Sequence, residues 1–477
     1  MQSEMLYNIN GQNKIFSPWG DGIMTEKKYL KWYQKIGYGS GDIAGNVVYA
    51  FLASFVMFYL TDSIGMSMGI VGTLMAVSKI FDGVSDFFFG SLIDKTKTKM
   101  GKARPWMLWA YIGNSVLLVA TFAVPTSWGD TAQYVYFFIT YTLLNAVFFT
   151  ANNIAYASLT ALITKNTNER VQLGSIRFIF AFSTSMLIQW MTVKAVGWCG
   201  GGVVGWRMVA IIYAVIGLVV NTISALSVKE LDDTEEAEED KSEQKISFLQ
   251  SAKLLIANKY YLLICGIYIL TQVCTAMLSM GIYYMKYILG DENLLGTFSL
   301  AINIPLVIGL LLVPMIIKKL DGMYKINIFG YVLATVARGL VIVAGYMGSV
   351  PLMLVFTALA SLGMSPLQGD LNALIASCSE YTALKTGKRI EGMMFSCSSL
   401  GIKIGGGIGT ALCGWLLDAA GYIENSAVQN ASCITMLNVL YLWCPMILCG
   451  VVTLLLTGLR VEKANYHLSL VKRELER

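Results

Sequence analysis

Two carboxylates, Asp82 and Asp86, stand four residues apart in the apolar stretch KIFDGVSDFFFG. That spacing puts both on one helix face, and Lys79, three residues before Asp82, shares nearly the same face. An ionisable side chain at the centre of a bilayer costs ~3 kcal/mol or more, so each such group needs a reason to be there. Paired carboxylates beside the polar Ser85 can bind a hard cation through oxygen ligands or accept a proton. A buried ion-pair cluster is the plainer reading. One ammonium cannot neutralise two carboxylates, however, and the remaining negative charge calls for a cation. Asp82 and Asp86 are therefore expected to hold Na+ or H+.

A second set of polar residues suits a hydroxylated ligand. In IGYGSGDIAGNVVYAF, Asp42 and Asn46 share a helix face, with Tyr38 and Tyr49 nearby. A carboxylate and an amide accept and donate to paired hydroxyls, and aromatic rings offer a flat apolar face. Close packing of helices through Gly-Ser-Gly is the alternative. In FFTANNIAYASLTALIT, residues Thr150, Asn153 and Tyr156 recur every third position and form one polar stripe. Arg177, in GSIRFIF, is either a donor fork for a ligand or the counter-ion of an acidic neighbour. Asp370 and Asn372 add polar groups to a later span. Lys403 lies in LGIKIGGGIG, within reach of the Asp82 and Asp86 carboxylates if the spans pack together. The glycines after it (Gly405, Gly406, Gly407 and Gly409) lack GxxxxGK[ST] and follow no strand, so they mark a close helix contact rather than a phosphate cradle.

These groups need elements that place them inside a membrane. Of 477 residues, 56% are hydrophobic and 14% charged, against ~25% charged in ordinary soluble domains. Continuous apolar runs of ~20 residues recur, each long enough to cross the hydrocarbon layer. Without water, spanning segments must be helices or closed barrels, and unbroken apolar runs with few Pro favour helices. Twelve spans are expected, six in a half at 37–228 and six in a half at 260–459. They are flanked by tails at 1–36 and 460–477. Between the halves, 229–259 contains KELDDTEEAEEDKSEQKIS, a solvated linker, and then the amphipathic SFLQSAKLLIANKY. Lys79, Arg177, Arg338 and Lys403 fall inside spans, and Lys194, Arg207 and Lys286 in odd-numbered loops. The other Lys and Arg lie in the tails and even-numbered loops, which places both termini and the linker in the cytoplasm. GSLIDKTKTKMGKARPW after the second span is echoed by VPMIIKKLDGMYKINIFG after the eighth, as expected of two repeated halves. MTEKKYLKW, from Met24, reads as a natural start, so the segment before it is either upstream of the true start or a disordered tail.

Several classes are excluded. The net charge of +5 is dispersed over many loops and offers nucleic acid no patch. The nine Cys show no CxxC spacing. Cys199 and Cys433, in loops of the same face, are expected as free thiols rather than a disulfide. The single His, His467, lies in the C-terminal tail, and there is no GxSxG, so no enzyme and no cofactor is expected.

From Asp86 the chain reads D-x3-G-x3-D-x6-G-K-x-R-P-W, with Gly90, Asp94, Gly101, Lys102, Arg104, Pro105 and Trp106 at the fixed positions. This resembles the signature of the glycoside–pentoside–hexuronide:cation symporter family, the melibiose-permease-like branch of the major facilitators. YGSGDIAGN, NNIAYASLTALIT and KTGKRIEGMMFSCSSLGIKIGGGIG are similar to further motifs of that family. The resemblance implies an all-α fold of twelve membrane helices in two pseudo-symmetric halves, acting as a monomer in the inner membrane. It implies a coupling-cation site at Asp82, Ser85, Asp86 and Thr150, with Lys403 beside it. Sugar-binding positions match Asp42, Asn153 and Arg177, and a cytoplasmic gate loop matches Asp94, Gly101, Lys102 and Arg104, closing through ion pairs. With Asn46, Tyr49 and Tyr156 from the polar stripes, the expected substrate is a glycoside, moved with H+ or Na+ as the coupling ion. The departures point away from an α-galactoside. Melibiose permeases carry an acidic residue at Asn153 and a Trp at Ala157, and Ser85 replaces an Asn that favours sodium. A lysolipid carrier and a non-transporting sugar sensor are the alternatives; the polar stripes oppose the first and the retained Asp82, Asp86 and Lys403 the second.

Overall fold

A chain with eight Pro among 477 residues and repeated apolar runs has helix as its way of satisfying backbone groups in hydrocarbon. The computed structural model describes residues 5–9, 12–16, 28–164, 166–231, 248–320, 322–388 and 391–475. The first half comprises α1 (Trp32–Ile64), α2 (Met68–Lys95), α3 (Arg104–Thr121), α4 (Asp130–Ile163), α5 (Thr167–Trp198) and α6 (Gly202–Ser227). The second comprises α7 (Lys259–Leu289), α8 (Leu294–Leu320), α9 (Met323–Tyr346), α10 (Val350–Thr386), α11 (Glu391–Ala419) and α12 (Ala431–Asn438 continued by Cys444–Gly458). Among the described residues, ten of these helices are long and apolar enough to cross a membrane. The other two expected spans, α3 and α11, are helices of 18 and 29 residues. Leu311, Phe329 and Leu454 are each 71% exposed, an outer surface suited to lipid rather than water.

Two segments outside the spans have more structure than the sequence suggests. Met5–Ile9 and Gln12–Phe16, expected to precede the start or to be disordered, pair as an antiparallel hairpin. The C-terminal tail forms a helix, α13 (Val461–Leu475). The amphipathic stretch after the linker is helical over Phe248–Ala257. Cys199 and Cys433 are both free thiols.

Side-chain caps define where several helices begin. Asn166, Asn258 and Asn430 each accept backbone N–H bonds in the first turn of α5, α7 and α12. α1 and α7 both end in a π-turn, Tyr59–Ile64 and Met285–Leu289, followed by a left-handed glycine, Gly65 and Gly290. The echo between the two basic loops has a structural counterpart. Glu230, just beyond α6, accepts from the backbone N–H groups of Lys102, Ala103 and Arg104 at 2.6, 3.0 and 2.9 Å. Glu462, just beyond α12, accepts from Met323 and Tyr324 at 3.0 and 3.2 Å. Each glutamate thus caps the third helix of its own half, where unpaired N–H groups favour an anion. The loop bends before each cap at a positive-φ glycine, Gly101 or Gly322. A Cβ at Gly101 would collide with the Glu230 carboxylate.

The halves meet along two seams. In one, α2 packs on α11 so closely that Gly72 and Gly414 face each other, and a Cβ on either would lie 3.2 Å from the other's Cα. In the other, Gly296 of α8 lies against Trp190 of α5. The glycine run of α11 serves three contacts at once. A Cβ at Gly407 would meet Lys79 of α2, and Cβ atoms at Gly405 and Gly409 would meet Ile269 and Val273 of α7. Small residues permit this approach, as membrane helix pairs require.

Glu169, at the start of α5, ties the segment before α1 to its half. It accepts from the Tyr29 and Leu30 N–H groups at 3.1 and 3.2 Å and from Thr164 at 2.7 Å, and it pairs with Lys35 at 3.1 Å. Burial pushes its carboxyl up, but bonds from Thr164, Lys35 and the two backbone groups outweigh that and hold it below the usual carboxylate range. Such a group contributes stability above its unfolded range and loses it as pH falls. Glu169→Gln is expected to lower stability by ~1–3 kcal/mol at neutral pH and to flatten the acid-side fall of thermal stability, read by unfolding of the purified protein across the carboxylate range.

Candidate substrate and cation site

A cavity of ≈ 640 Å³ opens between the halves, lined by α1, α2 and α4 of the first and by Gln272 of α7 and Ile402, Lys403 and Gly406 of α11. That volume falls within the ~300–1,000 Å³ typical of small-molecule sites. Asp82 and Asp86 reach it from α2, four residues apart on one face. Lys403 crosses from the other half and places its ammonium 3.0 Å from Asp82 Oδ1 and 2.7 Å from Asp86 Oδ2. The same nitrogen donates to the Asp82 carbonyl at 3.0 Å. Thr150 donates to Asp82 Oδ1 at 2.6 Å, and Lys79 approaches Asp82 Oδ2 at 3.7 Å. The site therefore holds two carboxylates and two ammonium groups, so its charge balances. Reading Lys79 alone from its local spacing left one negative charge uncompensated; Lys403, 321 residues away from Asp82, supplies the balance.

The hydroxyl-binding candidates gather at the other end of the cavity. Asp42 Oδ2 accepts from Arg177 Nε at 2.7 Å and from the Tyr156 hydroxyl at 2.8 Å. The Arg177 guanidinium lies over the Tyr156 ring, 4.2 Å from its centroid. Of the two readings of Arg177, the geometry makes it the counter-ion of Asp42. The Asn46 amide donates to the Asp42 carbonyl one turn back, at 2.9 Å. Tyr49 is half exposed and stacks on Phe149, which leaves a ring available to the cavity. Asn153 is exposed to the same space, whereas its neighbour Asn152 is buried and bonds Met107 and Asn221.

Ser85, Gly101, Lys102 and Arg104 are not among the described residues that line the cavity. The Ser85 hydroxyl donates to the Asp82 carbonyl within its own helix, at 2.9 Å, and Ser85 is not among the lining residues. The Lys102 and Arg104 backbone is held by Glu230, and Arg104 Nε donates to the Ala225 carbonyl at 2.9 Å. Among the described residues these contacts stay within one half. The Asp94 side chain lies outside the described residues.

Where the halves touch decides which way the cavity opens. Hydrogen bonds and ion pairs join the halves from Asp86 towards the face opposite the termini. Ser67, just before α2, and Thr73 of α2 bond Asp418 and Trp415 of α11. Asp62, in the π-turn of α1, meets Lys286 at 2.5 Å and Tyr287 at 2.6 Å, both from the π-turn of α7, and also Tyr422 beyond α11. Thr61 bonds Tyr283 at 2.9 Å. Together these contacts close the far face.

Residues 37–463 match the family described as MFS/sugar transport protein. The chain belongs to this family. Within the MFS/sugar transport family, it is 30% identical over 445 residues to the isoprimeverose transporter of Lactiplantibacillus pentosus, covering 92% of this chain and 91% of that one. It is 26% identical over 460 residues to the inner membrane symporter YicJ of Escherichia coli, covering 94% and 96%. The fold also matches the crystal structure of a bacterial homologue of the human lysosomal transporter Spinster, with a TM-score of 0.64 at 12% identity, over 92% of this chain and 96% of that one.

Gln272 and Glu230 escaped the sequence reading. Gln272 is a lone amide in an apolar span, YILTQVCTAML, and its isolation was a usable signal. Glu230 sits among many acidic residues of the linker and had none. The closed far face gives a direct test. A Cβ at Gly69 would lie 3.1 Å from that of Asp418, close to the ~3.5–4.5 Å of a disulfide. Gly69→Cys with Asp418→Cys is expected to cross-link rapidly under mild oxidation, whereas neither single variant does. The readout is whether the halves stay joined on a denaturing gel after cleavage at a protease site inserted in the 232–247 linker.

Proposed function

We propose that this protein is a secondary symporter that carries a neutral glycoside with H+ or Na+ by alternating access, in the cell membrane with its termini in the cytoplasm. It is a transporter of the MFS/sugar family rather than an enzyme. The observation that carries the reading is the position of Lys403, whose ammonium lies between Asp82 and Asp86, where a coupling cation would bind. An incoming H+ or Na+ competes with Lys403 for the same oxygens. Binding frees the ammonium and breaks the tie between α2 and α11. A loaded cation without sugar leaves that ammonium unpaired in a low-dielectric cavity, which opposes the rocking of the halves. A sugar hydroxyl bonding to it removes the penalty, so the fully loaded and the empty protein are the forms that cross.

The charges also speak for the class of sugar. The Arg177 guanidinium is engaged by Asp42, and Lys79 and Lys403 by the two coupling carboxylates. Before the coupling ion binds, no cation among the described lining residues is left over for a uronate or a sulfonate. Asn46, Asn153 and Gln272 remain, and Asp42 keeps one oxygen facing the cavity; these suit neutral hydroxyls. Tyr49 supplies a ring face for the sugar. The disaccharide named for the L. pentosus relative is the first candidate. The polar lining opposes an amphiphile, whose tail would meet amides and carboxylates.

The test is uptake by right-side-out vesicles of labelled isoprimeverose, a xyloside, a glucuronide and an α-galactoside, under an H+ gradient, an Na+ gradient or neither. A neutral glycoside is expected to accumulate above its external concentration under one gradient. Asp86→Asn is expected to abolish that uphill accumulation while sugar binding persists. Uptake that merely equilibrates, unaffected by gradient or variant, would refute the coupling.

A further inference from the structure

A second carboxylate lies buried in the other half, away from the cavity. Asp370, midway along α10, is 4% exposed, and Asn327 of α9 beside it is 2% exposed. Asn327 Nδ2 donates to Asp370 Oδ2 at 2.8 Å. The other oxygen of each side chain, Asp370 Oδ1 and Asn327 Oδ1, has no partner. If Asp370 were ionised, two acceptors without a partner would lie in one buried pair, an arrangement native interiors avoid.

One proton resolves both. A carboxylic acid and a primary amide are complementary: the amide N–H donates to the acid carbonyl, and the acid O–H donates to the amide oxygen. The surroundings favour the uncharged form. Among the described residues, none of the ion pairs made by Lys or Arg reaches Asp370. The charged group that acts on it is Glu462 of α13, which repels an anion. Tyr331 of α9, 1% exposed with an unpaired hydroxyl, is the other titratable neighbour. From α8, Leu310 and Val313 approach the preceding residue, Gly369, with apolar carbons.

We propose that Asp370 and Asn327 form a proton-binding site of the second half, occupied by H+ when the far face is closed. Asp370 is the acid and Asn327 a positioning residue. The proton comes from solvent on the terminus side, since Asn327 lies one turn inside the start of α9. It adds to Asp370 Oδ1 as an O–H aimed at Asn327 Oδ1, and no other bond changes. This site is separate from Asp82 and Asp86 and does not depend on which ion they bind.

Infrared spectroscopy of the purified full-length protein in deuterated buffer near neutral pH tests this without transport. The wild type is expected to show the C=O stretch of a protonated carboxyl group, absent from the difference between wild type and Asp86→Asn but lost in Asp370→Asn. The asparagine copies the shape of the neutral acid, so that variant is expected to stay monodisperse. Asn327→Ala removes the donor to the acid carbonyl and is expected to move the band to higher frequency rather than abolish it. A wild-type spectrum with no protonated carboxyl band, or a band unchanged in Asp370→Asn, would overturn the proposal.

Discussion

Everything at the centre of this protein depends on keeping four charges balanced inside a membrane-embedded cavity. Asp82 and Asp86 come from one half, as does Lys79; Lys403 comes from the other. A charge left alone there would cost several kcal/mol. The balance therefore cannot be altered at one residue without a response at another, and because Lys403 crosses the seam, that response involves both halves. The glycines of α11 are part of the same constraint. Gly407 lets α11 approach Lys79 closely, while a Cβ at Gly406 would meet nothing within 4 Å, which leaves room beside the cavity.

The spans, the two halves and the carboxylates of α2 were legible in the sequence, because hydrocarbon permits few alternatives and makes each buried charge conspicuous. Lys403 could be linked to Asp82 and Asp86 on chemistry alone. What sequence could not give was the count of charges at one point. Lys79 is three residues from Asp82, and Lys403 is separated from it by most of the chain, so the site looked short of positive charge until the halves were brought together. Arg177 shows the same limit: its type allowed a ligand fork or a counter-ion, and only the position of Asp42 chose. Ser85 shows what spacing alone does not specify. Its spacing suggested the cavity, but a serine in a helix can bond the carbonyl of the preceding turn instead, and this one does. Glu230 was hidden for a simpler reason, being one acidic residue in a linker full of them.

The two ends of the molecule are held by different kinds of contact. At the far face, Asp62, Lys286, Tyr287 and Tyr422 join the halves through groups supplied by the matching π-turns of α1 and α7 and by the segment after α11. Here the two π-turns bring an anion of one half against a cation of the other. At the other face the strong contacts run within each half. The backbone of the expected gate loop is capped by Glu230 of its own half.

Those caps have a mechanical consequence. Glu230 fastens the end of α6 to the start of α3, and Glu462 fastens the end of α12 to the start of α9. Each bundle is thereby braced at the end that must swing furthest, and it can act as a stiff lever instead of splaying helix by helix. Between the arms lies the glycine seam of α2 and α11, where Gly72 and Gly414 bring the two backbones into close contact. Displacing one ammonium near that seam is then felt at the distant ends of both arms as a movement larger than the displacement itself.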